Sequence, residues 1–376
     1  MNYFDYNATT PLSLGARKAW LQSVEEFPAN PSSPHRLGAR AEAALSQARE
    51  KMARILGCDA LDIVWTSGAT ESNNTVLHHV ARVLPQDKEV WVSAIEHPCV
   101  LAPAQHYLGA RLRRIPVLPD GVIDLEWMRQ KLVAPPPGLV AVMAANNETG
   151  VLQPWQQVLA LCREREVPFF CDAAQWVGKL PAQGLGDCDW VSGCAHKFGG
   201  PKGVGFLKCP GKGQLTPLIF GGEQEEGRRS GTENVAGVVA MLAALEECEG
   251  LLAKSLHKER NRWREEFETV LTKKLAGCEI VGGSQPRLWN TVAALMPQAD
   301  CQQRWVVKLD KAGFAVSTGT ACASGKEKPS HVLDAMGFGP HQSGRMLRFS
   351  SGWQTKQEEW NHLLEAVVNV HSAMSS

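Results

Sequence analysis

Hydrophobic positions along the first half of the chain alternate between two periods. Spacings of about 3.6 residues predict helices near 15–27 and 37–56, the second closed by Gly57 as a C-cap. Short apolar runs predict strands at Ile63–Trp65, Val90–Ser93, Leu112–Val117, Val140–Ala144, Phe169–Cys171 and Trp190–Ser192. Helical patterns lie between them at about 69–84, 99–109, 124–132 and 155–165. Strand–helix units of this length imply an α/β fold with a mostly parallel sheet covered on both faces. Beyond about residue 234 the pattern changes. A helical stretch runs over 234–275, with Gly250 as a break and a densely charged second half expected to be a solvated, domain-bridging helix. Strands at Val292–Leu295, Phe314–Val316 and Met346–Ser350, with helices near 302–312, 330–336 and 356–374, then predict a smaller α+β domain. The expected division is 14–255 for the large domain and 1–13 with 256–376 for the small one, within the prior that 376 residues set.

In a parallel sheet, functional groups collect beyond the C-terminal ends of the strands. Polar clusters fall at those positions: Glu96-His97, Asn146-Asn147-Glu148, Asp172 with Gln175, and His196-Lys197. Lys197 sits within Asp189–Gly205, where an apolar run meets a polar turn and then four glycines and a proline within eight residues. A rigid strand behind a lysine and open space before it suit a Schiff base with a flat cofactor. The segment Thr66-Ser67-Gly68-Ala69-Thr70-Glu71-Ser72-Asn73-Asn74 reads as strand, turn and helix N-terminus, an arrangement suited to a phosphate. It is neither a G-x-G-x-x-G nor a Walker loop, which removes support from a nucleotide-binding reading.

Composition removes other classes. Lys+Arg and Asp+Glu both number 39, so no electrostatic footprint for nucleic acid or an acidic membrane is expected. The N-terminal residues lack a basic segment followed by an apolar one, and no run of about 18 apolar residues occurs, so a cytoplasmic protein without a membrane span is expected. The 11 cysteines are irregularly spaced without a C-x-x-C pair, which suggests neither a zinc site nor a disulfide framework. Most are expected to be small buried hydrophobes.

The strand-end groups match the needs of pyridoxal phosphate. Lys197 is the imine-forming amine, Asp172 the carboxylate that keeps the pyridine nitrogen protonated, and Gln175 the donor to the ring hydroxyl. His97 supplies the flat group that stacks on the ring. Gly68, Ala69 and Thr70, with His196, form the phosphate cup, and Arg348 is the candidate for a substrate carboxylate. These motifs, together with Asn7-Ala8-Thr9-Thr10, Asn30-Pro31-Ser32-Ser33, Glu96-His97-Pro98, Asn146-Asn147-Glu148-Thr149-Gly150, Arg229-Ser230-Gly231-Thr232 and Arg348-Phe349-Ser350, resemble the cysteine desulfurase family, in particular its NifS/IscS-type branch. They occur in the family's order over nearly the whole chain.

The resemblance implies a pyridoxal-phosphate transferase of fold type I, with a seven-stranded-type sheet in its large domain. It implies a homodimer that takes sulfur from L-cysteine, releases L-alanine and delivers the sulfur to an acceptor protein. It places Asn147 beside Arg348 on the substrate carboxylate, and Thr232 on the phosphate of the partner subunit's cofactor. His97 is implied in proton transfer near the substrate thiol. The persulfide-forming cysteine is implied to be Cys322, on a Ser317–Gly325 loop whose small polar flanks suit an exposed sulfur carrier. The chain departs from the pattern at Cys194, where a phosphate-binding serine is usual. A thiol is a weaker donor, so a looser cup or a substituting backbone N–H is expected. Trp353 stands where a basic residue is common, and Gly325–Pro329 is more charged than usual. Alternatives of the same fold are a selenocysteine lyase or an aminotransferase, the latter disfavoured by Cys322. A non-catalytic scaffold would not require every catalytic position to be kept.

Overall fold

The computed structural model describes residues 1–133, 135–211, 215–298, 302–318 and 330–375. Its elements run β1 (Asn2–Tyr3), α1 (Leu14–Glu26), α2 (Arg36–Leu56), β2 (Ile63–Thr66), α3 (Ala69–Val83), β3 (Val90–Ser93), α4 (Pro98–Leu108), β4 (Leu112–Ile115), α5 (Leu125–Lys131), β5 (Leu139–Ala141), α6 (Trp155–Arg163), β6 (Phe169–Asp172), β7 (Trp190–Cys194) and β8 (Gly205–Lys208). They continue with α7 (Val235–Ala253), α8 (Leu256–Lys274), β9 (Glu279–Ile280), β10 (Thr291–Leu295), α9 (Gln302–Lys311), β11 (Phe314–Ala315), α10 (His331–Ala335), α11 (Pro340–Ser343), β12 (Met346–Ser350) and α12 (Gln357–Ser375). The predicted elements are present, with ends displaced by a few residues at most.

The central sheet has seven strands in the order β2-β8-β7-β6-β5-β3-β4. Strands β7, β6, β5, β3 and β4 are parallel, whereas β8 is antiparallel to both of its neighbours, β7 and β2. Two reversals cancel, so β2 points the same way as β7. Six strands therefore end at one edge of the sheet, and the loop before α3 reaches the same edge as those after β3, β5, β6 and β7. The sequence pattern missed β8, because its four buried residues open on the glycine that closes the glycine-rich turn. Apolar side chains cover both sheet faces, one face facing Trp65, Trp91, Phe169 and Phe206 and the other Val64, Val92, Phe170 and Leu207. That alternation is the period-two geometry of a strand buried on both sides.

A second core forms around Phe267, Leu271, Trp305, Phe349 and Trp360, beside the sheet β12-β10-β9. The N-terminus belongs to it. Strand β1 pairs with β11, and Phe4 packs edge-on against Trp360 at 4.9 Å between ring centroids. Two sequence expectations need correction. The break in the long helical stretch falls at Ser255, whose φ of 58° is left-handed, while Gly250 stays within α7. Nor is α8 simply a solvated bridge. It buries Arg264 and Glu268, and Glu268 accepts hydrogen bonds from both Arg264 (3.0 Å) and Arg287 (2.7 Å). Trp353, which had no account from sequence, packs against Trp289 with ring centroids 4.3 Å apart and planes tilted by 41°, and donates Nε1–H to the Gly178 carbonyl at 2.9 Å. It thus locks the C-terminal part against the turn that follows β6. Among the described residues, no helix is long and apolar enough to cross a membrane.

Candidate active site

A cleft of about 540 Å³ opens at the edge where the six strands end. Its lining includes Gly68, Ala69, Thr70, His97, Asn147, Asp172, Gln175, Cys194, His196 and Lys197. These come from the ends of β2, β3, β5, β6 and β7, which are far apart in sequence and adjacent in the sheet. Two residues from the N-terminal segment, Ala8 and Thr9, complete one wall.

Lys197 follows β7 directly. Its Nζ donates to the carbonyls of Asn7 (2.5 Å) and Ala8 (2.9 Å). Burial lowers its pKa, as does Arg348, while Cys194 and Asp172 act in the opposite sense. A lysine displaced toward the neutral amine is primed to attack a carbonyl carbon. Asp172 ends β6 and is held from two sides. Its Oδ1 accepts from the Ala174 amide (2.9 Å) and its Oδ2 from Asn73 Nδ2 (2.8 Å). Gln175 donates through Nε2 to the Asn7 carbonyl (2.9 Å). Its Oε1 accepts from the fully buried Lys179, which also donates to Asn7 Oδ1 at 2.8 Å. This orientation leaves the Gln175 amide nitrogen on the side of Lys197's own acceptor.

His97 caps the N-terminus of α4. Its Nδ1 accepts the Cys99 amide hydrogen at 3.1 Å. Burial lowers its pKa, against the pull of Asp172. His196, whose Nδ1 meets Thr9 Oγ1 at 3.2 Å, is pushed down to about 4 by burial and by Lys197 and Lys202. A neutral imidazole there can offer a hydrogen bond without competing for a proton.

The candidate phosphate cup has a clear backbone origin. Gly205 on β8 is the Cα partner of both Thr66 and Cys194. A Cβ at Gly205 would lie 2.5 Å from Gly68 Cα and 2.6 Å from the Gly193 carbonyl oxygen, so only glycine lets the start of α3 approach β7. Gly68 caps α3 without a side-chain hydrogen bond, leaving amides of the first turn directed outward. The Cys194 thiol, pushed up to about 11 chiefly by burial, takes a hydrogen bond from the Ala69 amide. The Ala69 amide is thus directed at the Cys194 sulfur. At the rim, Glu71 accepts from the Ser67 amide (2.8 Å) and from Arg229 Nε (2.8 Å) and Nη2 (3.3 Å). That ion pair ties the segment bearing Thr232 to the N-terminus of α3, although Thr232 itself is exposed and outside the cleft lining.

Arg348 is also outside the lining. It is 1% exposed, with Nη2 on Asp5 Oδ1 (2.7 Å) and Nη1 on the Asn147 carbonyl (3.0 Å). It is therefore a buried group adjoining Asn147 rather than a surface ion pair. Cys322 and the 325–329 segment lie outside the described residues.

These groups fit pyridoxal phosphate. An uncapped helix N-terminus faces the cup, a buried carboxylate and a half-buried amine share one cleft, and an amide and an imidazole flank them. Sequence reasoning gave no role to Asn73, Lys179 or Asn7, and treated Cys99 as structural by default. The structure puts Cys99 in the cleft wall. The signal available in sequence was that Asn7 and Asn73 stand inside recognised motifs and that Cys99 lies two residues after His97.

Residues 2–363 match the family model for class-V aminotransferases. The chain is 38% identical over 366 residues to a cysteine desulfurase of Klebsiella pneumoniae, covering 96% of this chain and 90% of that protein. A solved structure described as a NifS-like protein superposes with a TM-score of 0.89 at 32% identity over 99% of both chains. A structure of SspA in complex with cysteine superposes at 0.80, with 29% identity over 93% of this chain and 98% of the other.

Proposed function

The chain belongs to the class-V aminotransferase family and, within it, to the cysteine desulfurases; on that premise we propose how its residues remove sulfur from L-cysteine and pass it on. The protein is a pyridoxal-phosphate-dependent cysteine desulfurase. One observation carries the reading: Lys197, Asp172, Gln175 and His97 converge on a single cleft beside an uncapped helix N-terminus. The named relatives favour L-cysteine over selenocysteine as the substrate.

When bound, the cofactor supplies an electron sink for charge that develops at the substrate α-carbon. Asp172 would hold the proton on its ring nitrogen, Gln175 would donate to its ring hydroxyl, and Ala69, Thr70, Cys194 and His196 would surround its phosphate. Lys197, its pKa lowered chiefly by burial, takes and returns the α-proton. Asn147 and Arg348 orient the substrate carboxylate, Arg348 leaving Asp5 to do so. His97 exchanges a proton with the substrate thiol. The Cys322 thiolate attacks the substrate sulfur, so that an S–S bond forms as the Cβ–S bond breaks. The electron pair left on Cβ takes up a proton, and the carbon skeleton leaves as L-alanine.

We further propose a homodimer in the cytoplasm. The exposed Thr232, held at the cofactor end of α3 by Arg229 and Glu71, would reach the phosphate of the partner subunit's cofactor. Exposed Phe220, on the same segment, supports a covered surface there. The proposed domain division is 14–255 for cofactor binding and 1–13 with 256–376 for the part bearing Cys322, supported by the two separate cores. The sulfur acceptor is proposed to be an iron–sulfur scaffold or another sulfur carrier. Cys322→Ala tests the assignment: it should keep the cofactor absorbance and its shift on adding L-cysteine while losing turnover to L-alanine. Full turnover in that variant would remove Cys322 from the mechanism.

A further inference from the structure

Cys99 occupies a position that the mechanism above does not use. Its Sγ lies 2.9 Å from His97 Nδ1 and 3.0 Å from Asn73 Nδ2. The same Asn73 nitrogen lies 2.8 Å from Asp172 Oδ2. An amide nitrogen carries two hydrogens, so Asn73 can satisfy the Asp172 carboxylate and the Cys99 sulfur at once. Asn73 is fully buried at the N-terminal end of α3, which fixes both directions. Thr70 makes a further side-chain hydrogen bond to the Cys99 sulfur.

The direction of the chain can be read from its two ends. A carboxylate accepts only, so Asn73 donates to Asp172. A primary amide nitrogen has no lone pair to offer, so it donates to the sulfur as well. At the other end, the Cys99 backbone amide donates to His97 Nδ1 at 3.1 Å, and an amide N–H cannot accept. Nδ1 is therefore the unprotonated nitrogen, and the thiol hydrogen points at it. We propose that Cys99 is a positioning residue: its thiol, oriented by Asn73 beside the Asp172 carboxylate, is a second donor that joins the Cys99 backbone amide at His97 Nδ1 and reinforces the tautomer protonated on Nε2. The proton that His97 exchanges with substrate is then confined to one nitrogen, and its affinity is lowered by the thiol donor in addition to the amide on the other.

A nucleophilic role for Cys99 does not fit. Burial and the nearby Asp172 raise its pKa, opposing the thiolate. The other charged or titratable groups facing His97 are Asp172 on β6, Lys197 after β7, and His331 on α10. The neighbouring Glu96 turns its carboxyl to the Met143 amide, while its carbonyl meets His331 Nε2 at 2.9 Å. Each of these groups remains in a Cys99 variant, so replacing the thiol isolates one donor.

This inference rests on His97 being the proton-exchanging residue. Its test uses holoenzyme labelled with ¹⁵N-histidine, followed by NMR across pH, with His97 assigned by the signals lost in His97→Gln. Wild type should show a protonated Nε2 and an acceptor Nδ1. Cys99→Ala should raise the His97 pKa by about 0.5–1 unit, as expected for one lost hydrogen bond to the neutral form. Cys99→Ser, which restores a donor, should return it to within about 0.2 units of wild type. An Nδ1–H tautomer in wild type, no shift in Cys99→Ala, or Cys99→Ser behaving like Cys99→Ala would overturn the inference. Turnover of L-cysteine in the same wild-type sample reports separately on the desulfurase reading, which none of those NMR outcomes affects.

Discussion

Replacing Lys179 by methionine probes the polar network beneath the cleft. Lys179 is completely buried, and burial with the nearby charges of Lys197 and Arg348 moves its pKa well below the ordinary 10.5. Its hydrogen bonds favour the same state. A neutral amine donates two, and Nζ has two side-chain acceptors, Asn7 Oδ1 and Gln175 Oε1. If Lys179 is neutral in the fold and protonated when unfolded, the unfolded chain binds the extra proton. Stability must then rise with pH until the ordinary lysine pKa is approached. The gain is about 1.4 kcal/mol for each pH unit between the lowered value and the ordinary one. Lys179→Met lacks this gain. It also strands Gln175 Oε1, at a cost of about 1–3 kcal/mol, whereas Asn7 Oδ1 keeps its bond from Asn290. The assay is urea denaturation of both proteins across that pH range. Other titrating groups are common to both, so the difference in unfolding free energy isolates Lys179. The wild-type advantage should widen as pH rises. A difference that stays flat would mean that Lys179 is charged in the fold, and the argument from its two acceptors would fail.

Other substitutions test the remaining parts of the site. Lys197→Ala should abolish the adduct trapped by borohydride reduction; an adduct found at Lys202, which also lines the cleft, would relocate the imine. Cys194→Ser puts a stronger donor into the phosphate cup, so the apoprotein should bind pyridoxal phosphate about 3–10-fold more tightly in a fluorescence titration. An unchanged Kd would leave control of the cup with the Ala69 amide. Against burial, which raises it, hydrogen bonds from Arg229 and Ser67 hold the Glu71 carboxyl below its ordinary 4.5. Its stabilisation is therefore present above that pH and lost as pH falls through the lowered value. Glu71→Gln should flatten this acid limb of a Tm–pH profile and weaken cofactor binding several-fold, and an acid limb identical to wild type would contradict the ion pair's role.

Local pattern accounts for much of the molecule. Alternating periods place the strands and helices of the large sheet, because a strand buried on both faces reads as a short apolar run and its covering helix as a 3.6-residue stripe. Chemistry at strand ends identifies Lys197, Asp172, Gln175, His97 and Asn147, since a parallel sheet gathers such ends on one edge. Gly68 and the helix start after it are legible for the same reason. Strand β8 was not, since it opens on Gly205 and carries only two apolar side chains, Phe206 and Leu207, before Lys208. Trp353 had no account until the Trp289 ring was found beside it.

By itself, then, the sequence determined the α/β architecture and which polar residues, Lys197 among them, gather at one edge of the sheet. Tertiary structure alone decided how those residues are tuned. Asn73 meets Asp172 across 99 positions, Asn7 meets Lys197 across 190, and Lys179 reaches Asn7 across 172. A hydrogen bond has a direction and a length but no sequence period, so partners at such separations become visible only once the sheet has brought them together.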